Sequence, residues 1–153
     1  MQGRSWSQQL RSLSGREWIY LFKITAILIA YEALQPFLSL PRLIRLFDAT
    51  PRSRRKNELP FRRVVQLVTG LLRHTYIKDY CMPRSIILFH FLRRRGQTPV
   101  LRFGVEKKGL DLSGHAWVEL NGYPLAETGD PRHAFAITYS YPAVVPMAAA
   151  NQE

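Results

Sequence analysis

Residues 81–105 have the sequence CMPRSIILFHFLRRRGQTPVLRFGV, and within this stretch the pattern changes from helical to extended. Pro83 suits the first turn of a helix, where a missing N–H costs nothing. The three arginines before Gly96 suit the negative end of that helix, and Gly96 suits its left-handed cap. Beyond Gly96, apolar residues alternate with others at Leu101, Phe103 and Val105. The stretch therefore predicts a helix followed by a strand.

The sequence before residue 81 is predicted to be helical. Its strongest helical composition runs from Arg16 to Leu34, and Pro36 ends that helix. A short helix is predicted over residues 41–47, and the apolar spacing over residues 61–76 predicts an amphipathic third one. We interpret residues 1–60 as a helical N-terminal region with a basic loop, packed on a core formed by residues 61–153.

The sequence after residue 105 is predicted to be a sheet. The strand pattern continues through residues 116–120, and Asn121-Gly122 is a strong signal for a hairpin. A further strand is predicted through residues 135–139. Helices followed by an antiparallel sheet predict an α+β fold.

The chain is strongly basic, with 22 Lys and Arg against 11 Asp and Glu and a formal net charge of +11. This charge predicts attraction to an acidic peptide or an anionic membrane surface. The basic residues from Arg42 to Arg63 form either a solvated loop or a docking surface for such a partner. Nucleic acid is not favoured, because these residues are not interleaved with aromatic side chains and form no recognition-helix pattern.

The cysteine and histidine content limits the chemistry that the chain can carry. One cysteine excludes an intramolecular disulfide, and no histidine has metal-ligand spacing, so we predict no metal and no cofactor. Lys23 and Glu32 interrupt the apolar stretch of residues 18–40, which argues against a membrane span, and no signal-peptide cleavage site is visible. We expect a cytoplasmic protein, with peripheral attachment to the inner membrane left open.

Cys81 and His115 are the candidate nucleophile and base. Cys81 begins the predicted helix, where the helix dipole and free N–H groups stabilise a thiolate. The alternative is that Cys81 has no catalytic role and is a small buried apolar side chain, as most lone cysteines are. His115 begins the strand HAWVE, from which a ring can reach across to a helix terminus. The other three histidines fit less well, since two lie in predicted helices and one in a Pro/Arg loop.

A third group should orient His115 through its other ring nitrogen, and two acids are in reach. Glu119 is excluded, because four residues along a strand span about 13 Å. Glu127 and Asp130 remain. A two-residue turn at Asn121-Gly122 would set His115 opposite Thr128, whereas a three-residue bulged turn would set it opposite Glu127. Sequence alone allows both turns.

Four segments resemble the transglutaminase-like leader peptidases of lasso-peptide biosynthesis. They are Cys81-Met82-Pro83-Arg84-Ser85, the helix end at residues 92–96, Phe103-Gly104-Val105 and Gly114-His115-Ala116-Trp117-Val118-Glu119, in that family's order and approximate spacing. The resemblance covers residues 62–140 well. It implies a papain-like cysteine-protease core with a Cys-His-Asp triad, whose acid position falls on Glu127 here. Glutamate at a position where the family has aspartate departs from the family pattern, so Asp130 remains a candidate for the acid.

The resemblance also implies substrate and partners. The substrate would be a ribosomally made precursor peptide, whose leader the protease removes before a separate asparagine-synthetase-like cyclase closes a macrolactam ring. Fused relatives carry a three-stranded leader-recognition module, and nothing in residues 1–80 has that strand pattern. We therefore expect a stand-alone peptidase that depends on a separate leader-recognition protein.

Two other functions remain open. The same thioester chemistry would serve acyl transfer to an amine, as in transglutaminases, and the residues around Cys81 do not distinguish the two. A non-catalytic basic module that docks on peptides or membranes is the third. For the favoured function we predict the bulged turn, with Glu119 opposite Tyr123 and Glu127 within hydrogen-bond reach of His115.

Overall fold

The computed structural model describes residues 12–51, 58–75 and 80–143. In that part of the chain four helices precede four strands: α1 Gly15–Leu34, α2 Leu40–Phe47, α3 Phe61–Arg73, α4 Cys81–Arg94, β1 Val100–Lys108, β2 Asp111–Leu120, β3 Tyr123–Leu125 and β4 Ala136–Tyr141. A 3-10 turn, Pro131–His133, leads into β4. The predicted α+β class is confirmed.

Helix α4 is the centre of the packing. It begins at Cys81, and Gly96 has the left-handed φ of 71° that its predicted capping role requires. Eight of its fourteen residues are buried, because α1, α2 and α3 contact one part of its surface while β2 and β1 contact another. A helix covered on several sides needs apolar residues on more than one face, which explains the apolar run of residues 86–89.

The N-terminal helices pack on this core through apolar and ionic contacts. Buried Leu21, Ile24 and Leu28 of α1 belong to the same apolar cluster as the buried residues of α4. Glu17 of α1 closes a capping box with Ser14 and also accepts from Arg63 of α3 at 2.5 Å.

Residues 1–11, 52–57, 76–79 and 144–153 lie outside the described residues. The centre of the predicted basic docking loop is among them.

The sheet has the order β3-β2-β1-β4 and is antiparallel throughout. Gly104 of β1 lies opposite His115 of β2, beside an irregularity in the pairing of β1 with β4. A Cβ atom at Gly104 would lie 2.8 Å from the Cβ of Phe135 and 3.1 Å from the Trp117 ring. Glycine is required here because the neighbouring chain approaches so closely.

The predicted bulged turn between β2 and β3 is wrong. Leu120 pairs with Tyr123, so the turn has two residues, and both Asn121 and Gly122 have positive φ, at 53° and 80°. Such a type I′ turn matches the right-handed twist of the flanking strands, and Asn-Gly is its preferred sequence. Glu119 consequently lies opposite Pro124 and not opposite Tyr123.

One face of α1 is exposed and apolar along most of the helix. Its residues recur at helical spacing and include no charged or polar side chain: Trp18, Ile19, Phe22, Ala26, Ile29 and Ala33. Exposed Arg16 and Lys23 border this face on one side and Glu32 borders it on the other. Among the described residues, no helix combines the length and apolar character needed to cross a bilayer.

Candidate active site

Glu127 and His115 are in contact, as predicted, although the predicted turn is not what brings them together. The Nε2 atom of His115 lies 3.2 Å from Oε2 of Glu127. Both side chains are largely buried, with 21% and 12% of their surfaces exposed. At this distance Nε2–H donates to the carboxylate, which leaves Nδ1 as the nitrogen free to accept a proton.

Ala126 provides the change of direction that the turn does not. Strand β3 pairs with β2 only as far as Leu125, and Ala126 then takes a φ of 59°. A continued ladder from the two-residue turn would have opposed His115 to Thr128 and sent Glu127 to the other face. The left-handed residue ends the ladder and returns the Glu127 carboxylate to His115. For alanine that conformation costs roughly 1–2 kcal/mol, so other contacts must hold it.

Arg84 of α4 supplies those contacts, a role that the sequence analysis did not predict. Its Nη1 donates to the carbonyl of Ala126 at 3.2 Å, and its Nη2 donates to Oε1 of Glu127. The Arg84 side chain is 11% exposed. Glu127 therefore binds Arg84 with one oxygen and His115 with the other. The available sequence signal was an arginine one helical turn after Cys81, shortly before the apolar run of residues 86–89.

Two aromatic rings hold the imidazole on its sides. The Trp117 ring stacks on the His115 ring with centroids 6.0 Å apart, and the Phe135 ring is tilted against it at 5.1 Å. Trp117 is itself fixed, because its Nε1 donates to buried Glu119 at 3.0 Å. Close packing of this kind restricts rotation of the ring, so His115 is oriented before any substrate binds.

Cys81 occupies the first position of α4 and is a partly buried free thiol. Residues three and four positions apart share a helix face, so Cys81 lies one turn before Arg84 and Ser85. The Ser85 hydroxyl donates to the carbonyl of Ala116 at 2.9 Å, next to His115 in β2. Arg84 and Ser85 thus tie the face that carries Cys81 to the elements that carry Glu127 and His115.

The start of α4 suits an anion. None of the described side chains caps its first turn, so the N–H groups of Cys81 and Met82 are not engaged by a capping side chain. The N–H groups at a helix start are oriented toward the preceding space and carry partial positive charge. They can therefore stabilise a thiolate at Cys81 or an oxyanion formed beside it.

The remaining acids have other partners. Asp130 accepts three hydrogen bonds from the Arg132 side chain and one from the Arg132 backbone N–H. These bonds lower the pKa of Asp130 to about 2, the side-chain bonds being the larger cause. Glu119 is buried and accepts from Arg102 and Trp117. Of the acids considered from sequence, Glu127 is thus the one that the structure brings to His115.

The N-terminal region also contributes to the surroundings of the thiol. Tyr31 of α1 is buried, and burial, followed by the negative charge of Glu32 and a smaller effect of nearby Cys81, raises its pKa to about 12. Tyr31 therefore remains a neutral phenol at any physiological pH. Within the described residues, no group of three or more His, Cys, Asp and Glu side chains is arranged to hold a metal ion.

Comparison with known proteins places this arrangement in a family. Residues 24–140 match the description "Transglutaminase-like superfamily", and this match begins within α1 and ends within β4. No curated protein and no solved structure matches the chain at a significant level. The matched segment includes Cys81, His115 and Glu127 and covers well over half of the sequence. The chain belongs to the transglutaminase-like superfamily, whose members are in general thiol enzymes of the cysteine-protease and acyltransferase type.

Proposed function

We propose that this protein is a cysteine protease that removes the leader from a ribosomally synthesised lasso-peptide precursor. The observation that carries the proposal is the hydrogen bond between Glu127 and His115 beside the helix that Cys81 begins. The four sequence segments around Cys81, Gly96, Gly104 and His115 are the reason for choosing leader removal within the superfamily. In the proposed triad Cys81 is the nucleophile, His115 the base and Glu127 the orienting acid.

Acylation is the first half of the proposed reaction. The Cys81 thiolate attacks the carbonyl carbon of the scissile peptide bond, and the developing oxyanion accepts a hydrogen bond from the Cys81 backbone N–H. Collapse of this intermediate breaks the C–N bond, and the His115 imidazolium gives its proton to the leaving amine. The leader is then held as a thioester on Cys81, and the core peptide leaves with a free N-terminus.

Deacylation restores the enzyme. His115 takes a proton from a water molecule, which attacks the thioester, and collapse breaks the C–S bond to release the leader as a carboxylic acid. In both halves of the reaction Glu127 keeps Nε2 of His115 protonated, so that Nδ1 is the nitrogen that accepts and donates the transferred proton. A macrolactam-forming enzyme requires the free amine that acylation releases, so a separate asparagine-synthetase-like cyclase would act next.

We further propose that a separate leader-recognition protein delivers the precursor. The fold described here consists of the catalytic core and helices packed on it, and none of its described strands precedes the core. Holding the leader on a partner would raise its effective concentration at the thiol.

The exposed apolar face of α1 is the surface that we propose for contact with an anionic membrane. Its one side chain able to form a hydrogen bond is that of Trp18, and an aromatic residue with a polar N–H, like the neighbouring Phe22 ring, suits the bilayer interface. Arg16 and Lys23 lie along one edge, and the net charge of +11 favours anionic lipid. Binding of the leader-recognition protein at this face is the competing outcome, which lipid binding assays distinguish.

The experiment that tests the proposed function combines the purified chain, a precursor peptide and the leader-recognition protein, and follows the products by mass spectrometry. We expect a free leader acid and a core peptide with a free N-terminus, neither of which forms with Cys81→Ser. Transfer of the acyl group to an added amine in preference to water would identify the protein as an acyltransferase instead. Absence of any cleavage in the complete mixture would refute leader removal.

A further inference from the structure

Arg84 has an unusual combination of burial, charge and position. Its guanidinium donates to the Ala126 carbonyl and to the Glu127 carboxylate, both outside its own helix. Its Nε is buried and has no acceptor among the described residues. A buried ion pair is weak support for stability, because removing both charges from water offsets their attraction, and an unpaired donor adds to that cost. Stability alone is therefore a poor explanation for an arginine at this position.

The geometry gives a better one. Glu127 reaches His115 only because the chain reverses at Ala126, where φ is 59°. Arg84 binds the carbonyl of that residue and the carboxylate of the next, so its two contacts fix both the reversed backbone and the acid side chain. Because guanidinium is a donor at every nitrogen, it occupies Oε1 and leaves Oε2 for the imidazole.

We propose that Arg84 is a positioning residue for the reaction, acting through Glu127 on His115. It stands three residues after Cys81 in α4, so one rigid helix turn joins the nucleophile to the clamp on the acid. Movement of α4 then carries the acid and the thiol together, and the relative geometry of Cys81 and His115 is preserved. This inference rests on the proposed thiol chemistry but not on the identity of the peptide that is cleaved.

A double-mutant cycle of Arg84→Gln and Glu127→Gln tests the proposal. We expect Arg84→Gln to lower kcat by about 100-fold, the effect of a catalytic group displaced by about 1 Å, with KM little changed. In the Glu127→Gln background the same substitution should not lower kcat further. Arg84→Lys should recover part of the loss, since one ammonium group reaches one of the two acceptors but cannot bind both in the geometry of the fork.

Alkylation of Cys81 by iodoacetamide provides a readout that needs no substrate. The chain has one cysteine, so the mass of the alkylated protein reports Cys81 alone. Thiolate formation depends on an oriented imidazole, and we therefore expect slower alkylation in Arg84→Gln and no additional slowing in the double variant. If wild-type protein cleaves no precursor while alkylation follows this pattern, the proposed function fails and the role of Arg84 stands.

Arg93→Gln is the matched control. Arg93 lies on the same helix and forms a comparable partly buried ion pair with Asp48 at 2.7 Å, away from His115. Its replacement should lower the melting temperature without changing kcat or the alkylation rate. If the fold-loss of the double variant equals the product of the two single fold-losses to within about twofold in both readouts, Arg84 acts independently of Glu127 and the proposal is overturned. Should Arg84→Gln fail to fold, the double variant, in which neither residue is charged, is compared with Glu127→Gln alone. Equal rates in the two support the proposal, and a further loss in the double variant overturns it.

Discussion

Glu127→Gln is the substitution whose consequence the structure determines most closely. The change is isosteric, so the fold should survive, and the effect depends on which end of the new amide faces His115. Guanidinium only donates, so Arg84 will hold the amide oxygen and turn the NH₂ group toward Nε2 of His115. Nε2 must then accept, which moves the ring proton to Nδ1. A ring protonated there cannot take the proton of Cys81.

The size of the loss follows from the cost of the opposite amide orientation. Turning the oxygen toward His115 sacrifices a hydrogen bond from charged Arg84, which is worth about 1.5–3 kcal/mol. At about 1.4 kcal/mol per factor of ten, the competent orientation is populated at roughly 1–10%. The neutral amide also stabilises the imidazolium less than a carboxylate does. We therefore expect kcat to fall by about 10²- to 10⁴-fold, the upper figure being the loss known for the equivalent change in a serine-protease triad.

The assay is single-turnover cleavage of the precursor in the presence of the leader-recognition protein, with circular dichroism as a check on folding. Asp130→Asn is the matched control, because it removes a charge from the same loop at a residue whose partner is Arg132. It should keep most of the rate. A folded Glu127→Gln variant that cleaves within about threefold of the wild-type rate would refute the assigned role of the acid, since the predicted loss is far larger.

Four further predictions address the thiol, the partner, the pH dependence and the membrane. Cys81→Ala should abolish cleavage and keep the fold, and full activity in that variant would exclude thiol catalysis. The leader-recognition protein should accelerate cleavage by the isolated chain, whereas equal rates with and without it would contradict the need for a partner. Burial lowers the pKa of His90, so the unfolded chain binds a proton at this residue more readily than the folded protein does. The melting temperature should therefore fall as the pH drops below about 6.5, and it should fall less in His90→Gln. Phe22→Glu combined with Ile29→Glu should weaken flotation with phosphatidylglycerol vesicles, because it places two negative charges on the apolar face; unchanged flotation would exclude the α1 face as the lipid contact.

The helices and most of the sheet could be predicted because their signals are local. Gly96 ends α4 through its own left-handed φ, and Asn121-Gly122 forms the turn that its two residues prefer. The prediction of a three-residue bulged turn is wrong because it assumes that the β2–β3 ladder continues as far as Glu127, where only a bulge could place that residue opposite His115. Ala126 interrupts it with a conformation that alanine rarely adopts, and no glycine or asparagine signals that interruption.

The contacts around the acid could not be predicted because they join distant parts of the chain. Arg84 and Glu127 are 43 residues apart. An arginine near a helix start has many possible partners, and its sequence neighbours do not select one. Position along the chain made Cys81 and His115 candidates, whereas the contacts of Arg84 with Glu127 depend on how α4 lies against the sheet.

These contacts together assign α4 a role beyond presenting a thiol. Successive residues of one face carry the proposed nucleophile, bind the proposed acid and, through the Ser85 hydroxyl, contact the strand that bears the proposed base. The other surfaces of the same helix are buried against α1, α2 and α3, so its position is set by the main apolar core. A helix fixed in this way sets the geometry of the proposed triad, because a single side chain links it to each of the other two elements: Arg84 to the segment of Glu127, and Ser85 to the strand of His115. The orientation of Glu127, which occupies an irregular segment with a strained residue before it, therefore depends on the helix and not on the loop.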